Sequence, residues 1–279
     1  MPYFDPKYFK KKSSTGRVVK RTLKNKLIAW QLGKEYYDGH RNNGYGGFNY
    51  DGRWLKLLPK IIKRYKLNNK SKILDLGCKK GFIMKDFKIL LPNATIYGIE
   101  DHKYPIKTAE KEIKKNIILS NYYNIPFKNK YFDFVIGFSS IYKYNFADLV
   151  RTINEINRVS KKSFFTIASY TNKVEKELFE KWTLLGTTIL SQKDWLELFK
   201  LLKYKGDYYF TTAKSLNLSW LLKVKLYILY MLDTLQIKKY WEKIESQKKP
   251  PTFVKKINLI YFDDLKKKIK KKNYIYLKR

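Results

Sequence analysis

Cysteine occurs once in the 279 residues, at Cys78, which excludes an internal disulfide and any multi-cysteine zinc or iron–sulfur centre. Histidine occurs twice, at His40 and His102, so a histidine-rich metal site is excluded too and no metal site is expected. No run of eighteen uncharged apolar residues is present, so no transmembrane helix is expected. The opening Met-Pro-Tyr-Phe-Asp-Pro lacks a basic-then-apolar leader. These absences lead us to expect a reduced, cytoplasmic protein. Acidic residues are scarce: 24 Asp and Glu face 60 Lys and Arg, a net charge of +36. Arginine is scarce as well, with only Arg17, Arg21, Arg41, Arg53, Arg64, Arg151, Arg158 and Arg279. A surface built for nucleic acid enriches arginine for its bidentate fork. Lysine with abundant Asn, Ile, Tyr and Phe is instead what AT-rich codons encode. The charge is therefore read as composition first, with nucleic acid or an anionic membrane surface as the alternative partner.

Apolar and aromatic residues, 44% and 17% of the chain, suffice for a sizeable core. Residues 1–30 are basic with no clear period. The stretch from Tyr36 to Trp54 holds five glycines among repeated Asn and Asp, the composition of a loop with several turns. A helix carrying Trp54, Leu55, Leu58, Ile61 and Ile62 on one face follows, and Pro59 bends it or marks its first turn. From residue 70 the pattern becomes regular. Short apolar strands are read at 72–77, 94–100, 116–119, 131–137, 163–168 and 207–212. Helices are read between them at 82–91, 104–115 and 146–159, then from about 173 and over 192–203, with Ser191 and Asp194 as a capping box. Strands alternating with helices imply βαβ units and a parallel sheet.

Ligands of such sheets bind at the carboxyl ends of the strands, near the switch in strand order. The residues there are Asp75-Leu76-Gly77-Cys78-Lys79-Lys80-Gly81. Gly77 lets a ligand approach the backbone, and Gly81 lets the chain turn into the next helix. Glu100 ends the second strand, where a carboxylate can accept hydrogen bonds from both hydroxyls of a ribose. A nucleoside cofactor fits. A dinucleotide does not, because the middle glycine of Gly-x-Gly-x-x-Gly is missing.

The turn resembles motif I of the class I S-adenosylmethionine-dependent methyltransferases, Asp-x-Gly-Cys-x-x-Gly. The stretch from Asn121 to Phe127 with Phe132-Asp133-Phe134-Val135 is similar to that family's acidic-x-x-x-Leu-Pro-Phe … Phe-Asp-x-Val segment. Glu155-Ile156-Asn157-Arg158-Val159 is similar to its Glu-x-x-Arg-Val helix end. The type 11 methyltransferases are the group it most resembles, and Tyr45 to Trp54 resembles a loop found in one subset among carbohydrate and surface-polymer genes. The chain departs from the pattern at Lys79-Lys80, at Asn121 in place of an Asp, and after the fourth strand, where Phe138-Ser139-Ser140-Ile141-Tyr142 lacks a histidine.

The resemblance implies a Rossmann-like α/β domain, a mostly parallel sheet with helices on both faces. An N-terminal segment and glycine-rich lid would occupy 1–66, the cofactor domain 67–212, and a basic helical C-terminal extension 213–279. It implies S-adenosylmethionine held by Asp75, Gly77, Cys78, Gly81, Glu100, Asn121 and Tyr122. Asp75 and Gly77 would take the amino group, Glu100 the ribose, and Asn121 and Tyr122 the adenine. The activity implied is methyl transfer to oxygen or nitrogen of a small molecule or glycan-type acceptor. The alternatives are RNA methylation, or a non-catalytic protein that kept the fold and binds nucleic acid or membrane. His40, beside Tyr37, Asp38 and Arg41, is the candidate general base, against a solvated loop histidine. Cys78 as a nucleophile is set against a small residue that fits the turn. His102 is expected to be exposed. The apolar stretch 216–232 reads as a buried helix first, with an interfacial helix or a partner surface as the alternatives.

Overall fold

In the computed structural model, residues 21–216 and Leu218 are described. The regular alternation folds into a seven-stranded sheet. Its strands are β1 (Lys72–Leu76), β2 (Thr95–Glu100), β3 (Ile117–Leu119), β4 (Phe134–Phe138), β5 (Ser163–Tyr170), β6 (Leu190–Ser191) and β7 (Asp207–Thr211). The order is β3-β2-β1-β4-β5-β6, and β7 also pairs with β5. Strand β7 runs along Phe164–Ala168 and β6 along Ser169–Tyr170. Every one of these pairings is parallel. The strand order reverses between β1 and β4, which places the switch crevice at the carboxyl end of β1. This is the Rossmann-like arrangement the alternation implied.

Side chains alternate across the sheet and build two cores. Ile73, Ile96, Phe134 and Ile136 face α3 (Leu58–Tyr65) and α4 (Phe82–Leu90), meeting Leu58, Ile61, Met84 and Phe87. Leu74, Leu76, Val135 and Phe165 face α7 (Phe146–Val159) and α9 (Gln192–Leu201), meeting Leu149, Ile153, Ile156 and Trp195. Full burial of each such side chain stabilises the fold by about 1.5–3 kcal/mol. Trp195 is buried without a polar penalty, because its Nε1 donates to the carbonyl of Ala168 at 2.9 Å.

Two elements differ from the pattern. The helix read at 104–115 is two short ones, α5 (Lys103–Lys107) and α6 (Lys111–Lys114). Thr108 closes the first, its hydroxyl donating back to the Tyr104 carbonyl at 3.0 Å. In the basic N-terminal stretch, α1 (Leu23–Trp30) forms behind a capping box of Thr22 and Asn25. It is followed by α2 (Lys34–Tyr37). No helix among the described residues is long and apolar enough to cross a membrane. The apolar stretch 216–232 beyond its first residues, and the lysine-rich tail, lie outside the described residues.

The last turn of α7 pins the loop that follows β3. Arg158 donates to the carbonyls of Ile125 at 2.9 Å and Phe127 at 2.7 Å, while Glu155 accepts the Ile125 N–H at 2.8 Å and pairs with Arg158. Removing the guanidinium strands two loop carbonyls. Arg158→Ala is expected to lower unfolding free energy by about 1–3 kcal/mol in urea melts. It should also speed amide exchange across 121–131. Unchanged exchange there would refute the anchoring role.

Candidate active site

Asp75 lies in β1 beside Gly98 of β2 and Ile136 of β4, 1% exposed. Neither carboxylate oxygen has a hydrogen-bond partner. Burial pushes its carboxyl up to about 7, with Lys79 pulling it down and Glu100 adding to the rise. A buried carboxylate with four empty lone-pair positions is suited to receive a cation or a hydrogen-bond donor from a ligand.

Gly77 turns the chain just past the strand with φ +81°, and a Cβ there would stand 2.5 Å from Ser140 Cβ and 3.0 Å from the Tyr122 hydroxyl. Its N–H is taken by the Ile99 carbonyl at 2.9 Å. Gly81, φ +76°, caps α4 and packs against Ile113. Cys78 is buried against Gly98 and Met84, and burial pushes its thiol up, as suits a packing residue rather than a nucleophile.

Glu100 is 2% exposed at the end of β2. It accepts the Lys79 N–H at 2.9 Å and the Tyr122 hydroxyl at 3.4 Å on Oε2, and the Asp101 N–H at 3.2 Å on Oε1. Burial pushes its carboxyl up against the pull of Lys143. Tyr122 is buried, its ring directed to Gly77 and Glu100 rather than along the rim. Asn121 is exposed and lines a cleft of about 580 Å³ together with Asp101, His102 and Tyr104. His102, expected at the surface, is half-buried there, and burial lowers its pKa.

Three further groups complete the site, none singled out in the sequence. Asp101 receives Lys143 Nζ and the Tyr144 hydroxyl, each at 2.6 Å. Burial opposes its charge, but Lys143 and Tyr144 hold its carboxyl below the ordinary range. Lys143 also sits 4.5 Å from the centroid of the Tyr122 ring. The signal for Asp101 was its place directly after Glu100. Lys143 and Tyr144, 42 and 43 residues further on, gave none.

The glycine-rich loop sits over this rim. Asp38 receives Lys80 Nζ at 2.7 Å and the Tyr104 hydroxyl at 2.8 Å, and these bonds hold its carboxyl low against partial burial. Asp86 of α4 receives the Tyr50 hydroxyl at 2.5 Å and the Trp54 N–H at 3.1 Å. His40 is on the exposed outside of the loop, its Nδ1 accepting the Asn42 N–H at 3.2 Å. The structure thus gathers Asp75, Gly77, Glu100 and Tyr122, with Asn121 at the rim, and leaves His40 out.

The raised carboxyl of Asp75 has a consequence for stability. A folded-state pKa near 7 exceeds the unfolded value of about 3.9. The contribution is then complete below that lower value and is lost as pH rises through about 7. The melting temperature of the ligand-free protein is expected to fall between pH about 4 and about 7. Asp75→Asn should lessen that fall, and an unaltered slope would contradict it.

Comparison with known proteins bears on the same residues. A family model described as a methyltransferase domain matches residues 67–212. An uncharacterized protein of Methanocaldococcus jannaschii is 30% identical over 139 residues, 49% of this chain. This chain covers 51% of that protein, about half its length. Among solved structures, the YcgJ protein of Bacillus subtilis is similar at 17% identity and a TM-score of 0.44, covering 52% of this chain and 66% of that one. A SAM-dependent methyltransferase of Aquifex aeolicus is similar at 20% identity and a TM-score of 0.31, covering 40% and 69%. With more than half of its length matched by the methyltransferase-domain model, and that half folded as the parallel sheet above, this chain belongs to the class I S-adenosylmethionine-dependent methyltransferases.

Proposed function

We propose that the protein transfers a methyl group from S-adenosylmethionine to oxygen or nitrogen of a small-molecule or glycan-type acceptor. The observation that supports this most is Asp75, a buried carboxylate with no donor on either oxygen, in the strand that leads into the Gly77 turn. An open, buried carboxylate suits an ammonium group such as that of an amino acid. Glu100, one strand away, suits a vicinal diol, which would take over from the Lys79 N–H and the Tyr122 hydroxyl. Asn121 and the cleft at the ends of β2 and β3 suit a flat heterocycle.

When bound, the cofactor supplies a methyl group already activated by its sulfonium charge. The chain's own work is to orient and to exclude water. Asp75 would hold the amino-acid end of the cofactor and Glu100 its ribose hydroxyls. The loop that closes the rim packs Tyr45 and Phe48 with ring centroids 4.4 Å apart, and Phe48 on Phe82 at 4.8 Å, a water-poor roof. The Asp38–Lys80 pair ties that roof to the turn that carries Gly77.

Calorimetric titration with S-adenosylhomocysteine tests the reading. Glu100→Ala is expected to weaken binding by about 2–3 kcal/mol. Gly77→Val should abolish binding while circular dichroism shows the fold intact. Affinity should rise as pH passes from about 6 to about 8, since Asp75 must lose its proton to receive an ammonium. Equal affinity in wild type and both variants would sink the assignment.

A further inference from the structure

Past the end of β4 the chain makes a strained turn. Ser139 adopts φ 51° and its N–H donates to Thr166 Oγ1 at 2.8 Å. The Tyr142 carbonyl then accepts the N–H groups of Thr187 and Thr188, both at 3.0 Å. These bonds draw in the segment after α8 (Lys173–Trp182). Trp182 therefore stands beside the turn. The Arg21 guanidinium lies over its ring, 5.6 Å from the centroid, and Nη1 of Arg21 donates to its carbonyl.

Two atoms at this spot are buried with no hydrogen-bond partner, Nε of Arg21 and Nε1 of Trp182. Both are donors only. The hydroxyls of Tyr36 and Tyr142 are within electrostatic reach of Arg21, and burial keeps both phenols protonated. Arg41 is close enough to act on Arg21 as well. Burial and then Arg41 lower the Arg21 pKa to about 10, which leaves it charged at neutral pH. Among the described residues no carboxylate lies within ion-pair distance of Arg21 or Arg41. Backbone carbonyls of Trp182, and of Gly44 and Tyr45, accept from Arg21 and Arg41, but the two buried donors Arg21 Nε and Trp182 Nε1 remain unpaired beside positive charge, a condition that costs stability until an anion arrives. It adjoins the cofactor turn through Tyr45, whose ring packs 5.2 Å from Tyr36 and whose hydroxyl is in electrostatic reach of Lys79.

We infer that this cluster seats an anionic oxygen group of the methyl acceptor, a carboxylate or a phosphate, with Arg21 and the Trp182 indole N–H as its donors. The inference rests on the methyl-transfer reading above. It narrows the acceptor to an acid or phosphorylated compound, and it gives the loop a second task, because Tyr36 and Arg41 lie within electrostatic reach of Arg21 from that side. Arg21 acts as a specificity-determining residue, holding the acceptor next to the end of β4.

The test uses the full-length protein with saturating S-adenosylhomocysteine and reads the indole ¹⁵N–¹H resonances. The chain has six tryptophans, and Trp182→Phe identifies the relevant signal by its loss. Acetate and inorganic phosphate are titrated separately, with acetamide as the neutral isostere of acetate. The Trp182 resonance is expected to move saturably with at least one anion and not with acetamide, and the responding anion tells carboxylate from phosphate. Arg21→Gln should weaken that response about tenfold or more while leaving affinity for S-adenosylhomocysteine within about twofold. No movement with either anion, the same movement with acetamide, or a response intact in Arg21→Gln would each overturn the proposal. The last result would assign the effect to the general +36 charge. The wild-type titration decides the matter even if Arg21→Gln does not fold. Failure to bind S-adenosylhomocysteine at all would count against the methyl-transfer reading instead.

Discussion

A carboxylate placed inside a protein without a donor is unfavourable, and Asp75 is in that position on the central strand of the sheet. Much of the site answers this one constraint. Lys79 is drawn toward the strand end, its ammonium reaching the Phe138 carbonyl at 3.2 Å, and it lowers the cost of the nearby negative charge. Glu100, on the neighbouring strand, raises that cost. The balance leaves a site that holds its protons loosely near neutral pH, and a cationic ligand would displace them.

The second buried acid shows the other way of meeting the same cost. Glu100 is satisfied by backbone N–H groups and by a phenol, all of which a competing hydroxyl could replace. Asp101, one residue further, is paired with Lys143 and Tyr144. Three carboxylates within two adjacent strands are therefore solved in three ways: left open, lent to exchangeable donors, and neutralised. The first two stay open to exchange with a ligand, whereas the paired Asp101 lines the cleft and holds the rim that carries His102 and Tyr104.

Much of the fold was legible in the sequence because buried parallel strands read as short apolar runs. Ile73-Leu74 and Phe134-Val135-Ile136 are such runs, and their helices carry apolar residues at helical spacing. The glycines at 77 and 81 and the acid at 100 were legible for the same local reason. Helix α1 was not, since only Ala29 on it is buried and Leu23, Leu27 and Trp30 are exposed, which leaves no apolar stripe to read. The direction of Tyr122 was not legible either. Its position after β3 was plain, but whether the ring turns inward depends on the room above Gly77, a tertiary matter. Lys143 and Tyr144 reach the site from sequence distances at which no spacing rule applies.

Because all the strand pairings run in the same direction, the molecule has two unlike rims. At one, the chain enters the strands through short connections. At the other emerge the turn at 77–81, the segment 101–104, the loop at 120–124, the turn at 139–144 and the stretch after 170, and the loop at 36–54 folds over them. Sequence change at this second rim leaves the paired backbone untouched. Insertion, loss or exchange of residues there can retune what is recognised at little expense to the scaffold. The architecture therefore separates heritable variation in specificity from the requirement to fold, and descendants of one such chain could diverge in the molecules they act on while keeping the same sheet.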